Sequence, residues 1–264
     1  MKKYLKIIIN VLKESSAYRM NHLMSILVIV LPLVFTLLLW NAIFGEIDNI
    51  AGYTKVKIIT YYIFCALIID LTYAGVNYEI AEDIRKGTLS HHLIKPLSYF
   101  GHSFAIKVGS NIPYFVISFI IVFLYTTLVV KVFYLQTNFL LVLIFIIALS
   151  FAFVLSFMVT FILSLLSFWL EEVSSVQSLS DIITYISSGA LLPLSFFPPQ
   201  IQEIFTFLPF KYLLNFPIEI YLGNLCFNKI SHGLIVQIFW IAIFYIIQLL
   251  IWRLGLKRYQ SYGG

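Results

Sequence analysis

Residues 139–169, FLLVLIFIIALSFAFVLSFMVTFILSLLSFW, pass without one charged side chain. A helix in water needs a polar face, and this stretch has none; at such length it suits the interior of a bilayer. Five further runs, at about 23–44, 58–78, 104–130, 177–197 and 234–252, meet or approach the roughly 20 apolar residues that a helical span requires. Only 11% of the residues are charged and 61% are hydrophobic, whereas a soluble domain carries about 25% charge. Lipid is therefore the solvent for most of the chain. The fold class that follows is an all-α polytopic membrane protein with six transmembrane helices. The run at 139–169 must tilt or project beyond the bilayer. Those at 58–78 and 177–197 carry ionisable residues and are the weakest by hydropathy.

The N-terminal stretch interrupts any signal-type core with Lys6, Asn10, Lys13 and Glu14, and no small-residue cleavage site follows. Lys3, Lys6, Asn10 and Lys13 recur at helical spacing, with Leu5, Ile8, Ile9 and Leu12 on the other face. Residues 1–22 thus read as an amphipathic helix lying in the membrane interface; a basic tail marking the cytoplasmic side is the plainer alternative. With the N-terminus inside, the inner segments hold Lys2, Lys3, Lys6, Lys13, Arg19, Arg85, Lys86, Lys95, Lys107, Arg253, Lys257 and Arg258. The outer segments hold only Lys55, Lys57, Lys131, Lys211 and Lys229. That excess puts both termini in the cytoplasm, and the low-charge, Ile/Lys/Asn/Phe-rich composition suits a bacterial cytoplasmic membrane. The cations are topology markers beside spans, which removes nucleic acid as a partner. Cys65 and Cys226 make no disulfide framework. Without an internal repeat or a low-complexity linker, residues 1–264 form one transmembrane domain.

Two polar or broken stretches stand out from the oil. Residues 84–100, IRKGTLSHHLIKPLSYF, lie in the longest inner loop. There Arg85, Lys86, His91, His92 and Lys95 flank an apolar patch of Leu89, Leu93, Ile94 and Leu97. Gly87 supplies a turn, Thr88 or Ser90 caps a short helix, and Pro96 ends it. Such a helix can receive force from a soluble motor, or the loop can simply join spans. Residues 187–223, at the outer end of the fifth span, are broken by Pro193, Pro198, Pro199, Pro209 and Pro217 into short aromatic-rich pieces. Non-helical backbone at membrane depth needs protein or a water-filled cavity around it, so this reads as a partly re-entrant hairpin over the outer side, compatible with an interfacial aromatic belt.

Together these stretches resemble the two recurring signatures of type-2 ABC (ATP-binding-cassette) export permeases. Gly87, Leu89, Leu93, Pro96 and Leu97 fit the pattern Gly-x-Leu-x-x-x-Leu-x-x-Pro-Leu, with Lys95 where a basic residue is usual. Ser188, Gly189, Pro193, Leu194, Phe197, Pro198, Leu208, Pro209, Phe210 and Pro217 fit the second pattern, after the fifth span. The resemblance implies a cytoplasmic coupling helix between spans 2 and 3, docking on ABC ATPase subunits, and re-entrant outer helices between spans 5 and 6. It also implies a second permease protomer, identical or a sister chain. The chain has no phosphate-loop motif, so ATP and Mg2+ would sit on the partner, and this chain would be non-catalytic and carry no cofactor.

Ionisable and polar residues inside spans cost roughly 2.5–3.5 kcal/mol each when charged and usually face a cavity or a partner. Asp70, Tyr73 and Asn77 share one helical face of the second span, and Ser178, Asp181, Tyr185 and Ser188 form a stripe on the fifth. They either line a passage between protomers or bond spans together. Ser174 with Gln177 resembles a capping box opening the fifth span. Glu171 and Glu172, in the preceding inner loop, offer a second contact to an ATPase or to the N-terminal helix, or are simply solvated. No His-Glu-x-x-His motif occurs, and His91, His92 and His102 lack Cys or suitably spaced carboxylates for a metal site. The rival readings are a motor-independent transporter using Asp70 and a non-transporting accessory subunit. The acidic residues and tyrosines tilt the cargo towards cationic or amphipathic molecules, with drugs, lipids and glycans left open.

Overall fold

The hydropathy pattern is met by helix almost throughout, 81% of the chain. The structure, a computed structural model, describes residues 2–15, 19–45, 47–72, 76–130 and 133–259; of these, the side chains of 15, 19–29, 76–78, 129 and 130 are not described. In order, α1 (Lys2–Ser15) and α2 (Arg19–Phe44) lead to a two-stranded hairpin, β1 (Asn49–Ile50) and β2 (Tyr53–Thr54). Next come α3 (Lys55–Thr72), α4 (Val76–Arg85), α5 (Leu89–Leu93) and α6 (Tyr99–Tyr125), the last continuing into a π-helical turn, Thr126–Val130. Then follow α7 (Phe139–Leu165), α8 (Ser174–Ser187), α9 (Pro199–Phe207), α10 (Asn215–Tyr221) and α11 (Phe227–Arg258).

Among the described residues three helical stretches are long and apolar enough to cross a membrane: Tyr99–Leu128, Phe139–Phe168 and Phe227–Arg258. Val30–Phe44 is a shorter apolar helix. Two of the predicted spans are shorter as helices than their apolar runs. The helix expected over 58–78 stops at Thr72, and α4 resumes at Val76. That expected over 177–197 stops at Ser187, because Gly189 turns the chain with φ +90° and Pro193 follows. At about 1.5 Å per residue, the 14 residues of α8 cover roughly 21 Å, less than the hydrocarbon core.

Two poles organise the molecule. At one, Ile80, Ile84, Leu89, Tyr99, Phe157, Phe161, Leu165 and Phe168 pack as one cluster that joins α4, α5 and the start of α6 to the ends of α7 and α11. At the other, the β1–β2 hairpin and the start of α3 meet α10 and the segment entering α7. Tyr53 donates to Glu219, Lys57 Nζ to Asn224 Oδ1 at 2.6 Å, and Gln136 Nε2 to the Tyr221 carbonyl at 2.8 Å. The larger cluster of buried residues, including Trp40, Tyr61, Phe145, Leu155 and Ile218, fills the space from this pole inward.

Glycines permit the closest crossings. Helix α1 turns Tyr4, Ile7, Ile8, Val11 and Leu12 inward and lies along the first turns of α6. A Cβ on Gly101 would stand 3.0 Å from the Tyr4 ring, and one on Gly109 2.9 Å from the Val11 Cβ. Leu5 and Ile9, assigned to the apolar face from spacing, are instead exposed. On α11, a Cβ on Gly233 would overlap the Phe216 ring of α10, and one on Gly255 the Phe168 ring. Small residues at such points let helices pack where no hydrophobic effect drives them together. Gly233→Val is therefore expected to destabilise the protein by about 1–3 kcal/mol, the usual cost of overpacking. Thermal unfolding in detergent measures it, and Phe216→Leu added to Gly233→Val should restore part of the loss.

Candidate functional site

The turn at 84–100 is built as the spacing predicted at Gly87, which adopts φ +78° and is buried. The caps differ from expectation. Neither Thr88 nor Ser90 caps α5. Thr88 Oγ1 donates back to Asp83 Oδ1 at 2.6 Å, and Ser90 Oγ to the Gly87 carbonyl at 2.8 Å. Both hydroxyls tie the short helix to α4 and its turn, since a local carbonyl or carboxylate competes with the cap. Two residues that the sequence reading missed complete the fastening. Tyr259, past the end of α11, donates its hydroxyl to the Gly87 carbonyl at 2.6 Å and accepts from Ser90 N at 3.1 Å. Tyr99 donates to Asp83 Oδ2 at 2.9 Å and stacks on Trp252 with centroids 5.3 Å apart.

The result is a two-sided helix. Leu89 is fully buried, whereas Leu93 is 43% and Ile94 83% exposed. Arg85, Lys86, His91, Lys95 and Pro96 are exposed with them, and Lys86 pairs with Glu82. His92 turns inward instead, its ring 4.7 Å from that of His102 and its Nε2 3.7 Å from Asp83 Oδ2. Glu79, Asp83, His92, Tyr99 and His102 line a cavity of about 260 Å3 beside α5. Among the described residues no three His, Cys, Asp or Glu side chains converge as metal ligands.

Burial holds the His92 imidazole below the ordinary histidine range, against the pull of Asp83 and with the smaller repulsion of Lys95 and His91. An undocked α5 would bind the His92 proton more readily, so docking is strongest above the ordinary histidine value of about 6.5 and weakens as pH falls through the lowered one. Amide exchange at residues 89–93, corrected for intrinsic rates, is expected to accelerate between about pH 7.5 and pH 5.5, and His92→Gln to flatten that dependence.

The polar stripes come out separately. Asp70 accepts a hydrogen bond from Ser118 of α6, a bond between helices. Tyr73 lies outside the described residues, as does the side chain of Asn77. On α8, Ser178, Asp181 and Tyr185 share an exposed face with Leu179, Ile182 and Ile186, while Ser188 is buried past the helix end. The capping box at Ser174 and Gln177 does not form. The helix is preceded by Val173, Ser174 Oγ donates to Glu172 Oε1 at 2.7 Å, and Gln177 turns into the core. Glu171 and Glu172 are exposed at this turn.

The end of α3 is held by residues that the sequence reading passed over. Lys107, counted as an inner topology marker, is fully buried in α6. Its Nζ donates to the Thr72 carbonyl at 2.7 Å and lies 5.7 Å from the Phe153 ring centroid. Asn111 donates to the Leu71 carbonyl, and Ser156 Oγ to that of Thr72 at 3.3 Å. Lys107→Ala leaves a cavity and a carbonyl short of a donor, and is expected to cost about 3 kcal/mol. Lys107→Met keeps the volume and removes the buried charge, so it should retain most of the stability in thermal unfolding.

In the stretch after α8 each proline sits at the start of a helical piece. Pro199 opens α9 after Pro198, Pro209 precedes a 3-10 turn at Phe210–Leu213, and Pro217 falls in the first turn of α10, where its missing N–H costs nothing. Pro193 precedes another turn, Leu194–Phe196, beside Phe197. The break at Gly189 is bonded from α3 and α10. Tyr61 donates to the Gly189 carbonyl at 2.8 Å, Tyr62 to that of Leu191 at 3.0 Å, and Asn215 N to that of Ser188 at 3.0 Å. Gln237 of α11 donates to the carbonyls of Ala148, at 3.0 Å, and Tyr212, at 2.9 Å.

Residues 30–263 match the sequence profile described as ABC-2 family transporter protein. The chain belongs to that family. No individual curated protein matches it. As a family member with membrane-length apolar helices, it is an integral membrane component of an ABC-type transporter. Both signature stretches, 84–100 and 187–223, fall inside the matched residues.

Proposed function

We propose that this chain is the permease of an ATP-driven exporter in a bacterial cytoplasmic membrane, with both termini in the cytoplasm and no catalysis of its own. ABC-2 permeases work with ATPases, and here ATP and Mg2+ would be held by a separate subunit. Six spans are assigned to α2, α3 with α4, α6, α7, α8 and α11. Helix α5 is the coupling helix, and α1 lies at the same pole, in the interface. The exposed middle of α8, with Ser178, Asp181 and Tyr185, faces a second permease protomer across the passage. Asp70 serves the bond between α3 and α6.

The observation that carries this reading is the two-sided α5. Exposing Leu93 and Ile94 on a helix whose other side is fastened by Leu89, Tyr259 and Asp83 suits docking into a soluble partner's groove. The poles agree in charge: Lys2, Lys3, Lys6, Arg85, Lys86, Lys95, Lys257 and Arg258 gather at the pole of α5, as an inner side requires.

The test is co-purification from the native membrane. The tagged native chain is expected to retain an ATPase, and Ile94→Glu to lose it while remaining folded in size-exclusion chromatography. Absence of any ATPase from the native chain under gentle solubilisation would overturn the reading.

A further inference from the structure

A cavity of about 1220 Å3 opens at the pole opposite α5, between α9, α10 and the first half of α11. It exceeds the roughly 300–1,000 Å3 usual for sites that enclose a small molecule. Lys211, Lys229 and His232 line it, with Glu203 and Glu219 as its acids. The rest of the lining includes the apolar Phe207, Phe216, Val236, Phe239 and Trp240.

The charges do not cancel in place. Glu219 is already engaged, accepting from Tyr53 and from Asn224 Nδ2, the latter at 2.9 Å, and burial pushes its carboxyl up towards the neutral form. Glu203 is exposed on α9. Neither lysine makes an ion pair among the described residues. Lys211 is half-buried, and burial lowers its ammonium; Glu219 partly offsets this, whereas Lys229 adds to it by like-charge repulsion. Two cations that face one cavity and repel each other are stabilised by an anion between them.

The apolar wall says what the anion is attached to. Lys229 and Trp240 are eleven residues apart on α11, about 16 Å along the helix axis at 1.5 Å per residue. Between and beside them, Ile235, Ile238 and Phe239 are exposed large hydrophobics, so the cavity wall runs on into the lipid-facing side of α11. A free anion would leave that wall empty. A lipid would fill both ends, with its headgroup at the lysines and its chain along the aromatics.

We propose that this outer cavity binds an anionic phospholipid of the surrounding bilayer, its phosphate between Lys211 and Lys229 and an acyl chain against Phe239 and Trp240. The assignment rests on membrane embedding and not on coupling to an ATPase, so it stands or falls independently of the exporter reading.

The test uses the purified full-length protein in nanodiscs of phosphatidylcholine doped with acyl-brominated phosphatidylglycerol or, separately, acyl-brominated phosphatidylcholine. Bromine quenches tryptophan only on contact, and Trp240→Phe identifies the Trp240 part of the signal. At equal low mole fraction, brominated phosphatidylglycerol is expected to quench Trp240 several-fold more than brominated phosphatidylcholine. The double variant Lys211→Gln/Lys229→Gln should lose that excess, whereas Lys211→Arg/Lys229→Arg should keep it, which controls for folding. Inorganic phosphate should compete weakly, since it occupies only the headgroup end. Equal quenching by both lipids, or a preference that survives the glutamine variant, would overturn the proposal. So would a Trp240 that no lipid quenches, which would mean that protein, such as a second copy, covers the cavity.

Discussion

A helix broken in lipid exposes backbone carbonyls that no water can reach, and four breaks among the described residues are answered by a side chain from elsewhere in the chain. Lys107 and Asn111 of α6 serve the end of α3. Tyr61 of α3 serves the turn after α8, and Gln237 of α11 serves the turn before α10. Tyr259 serves Gly87, before α5. These bonds decide which pieces can be short. A helix of five or seven residues, such as α5 or α10, has too few internal bonds to persist alone. It persists because long neighbours satisfy its ends.

The same requirement accounts for five of the buried polar residues. Lys107, Asn111, Ser118, Asn215 and Gln237 are each buried, and the side chain of each bonds across helices, to a backbone carbonyl or, for Ser118, to Asp70 and, for Asn215, to the Tyr61 hydroxyl. None needs a counter-charge to be accommodated, since a lysine at a helix C-terminus already meets the negative end of the peptide dipoles. Asp70 is the acid in this set, and it too is answered by a hydroxyl on the facing helix.

What was legible in the sequence followed local rules. The apolar runs located the long helices, Gly87 marked a turn, and the prolines marked where the stretch after α8 breaks into short pieces. Those signals depend on residue type alone. The breaks after Thr72 and Ser187 were not legible, because the apolar run continues past each and hydropathy does not see hydrogen bonds. Lys107 was misassigned for a related reason. A cation near the end of an apolar run usually marks the water boundary, and only the arrival of α3 beside α6 makes that position interior. Thr88, Ser90 and Ser174 were misread as caps, since the competing acceptors, Asp83, the Gly87 carbonyl and Glu172, are near in space but compatible with the same sequence pattern.

The long helices and the broken ones play different structural parts. Helices α6, α7 and α11 span 27, 27 and 32 residues, each longer than a bilayer's hydrocarbon core at about 1.5 Å per residue. They form the frame, with α7 in the centre, its Ala148, Ala152 and Leu155 fully buried. Helix α5 is joined to this frame at three points, by Leu89 in the cluster with the end of α7, by the Tyr99–Asp83 bond at the start of α6 and by Tyr259 past the end of α11. Both helices run unbroken to the opposite pole. There α11 holds the broken segment after α8 by Gln237 and by the Gly233–Phe216 contact. Helix α5 and the proline-broken segment are therefore tied to opposite ends of the same long helix, α11.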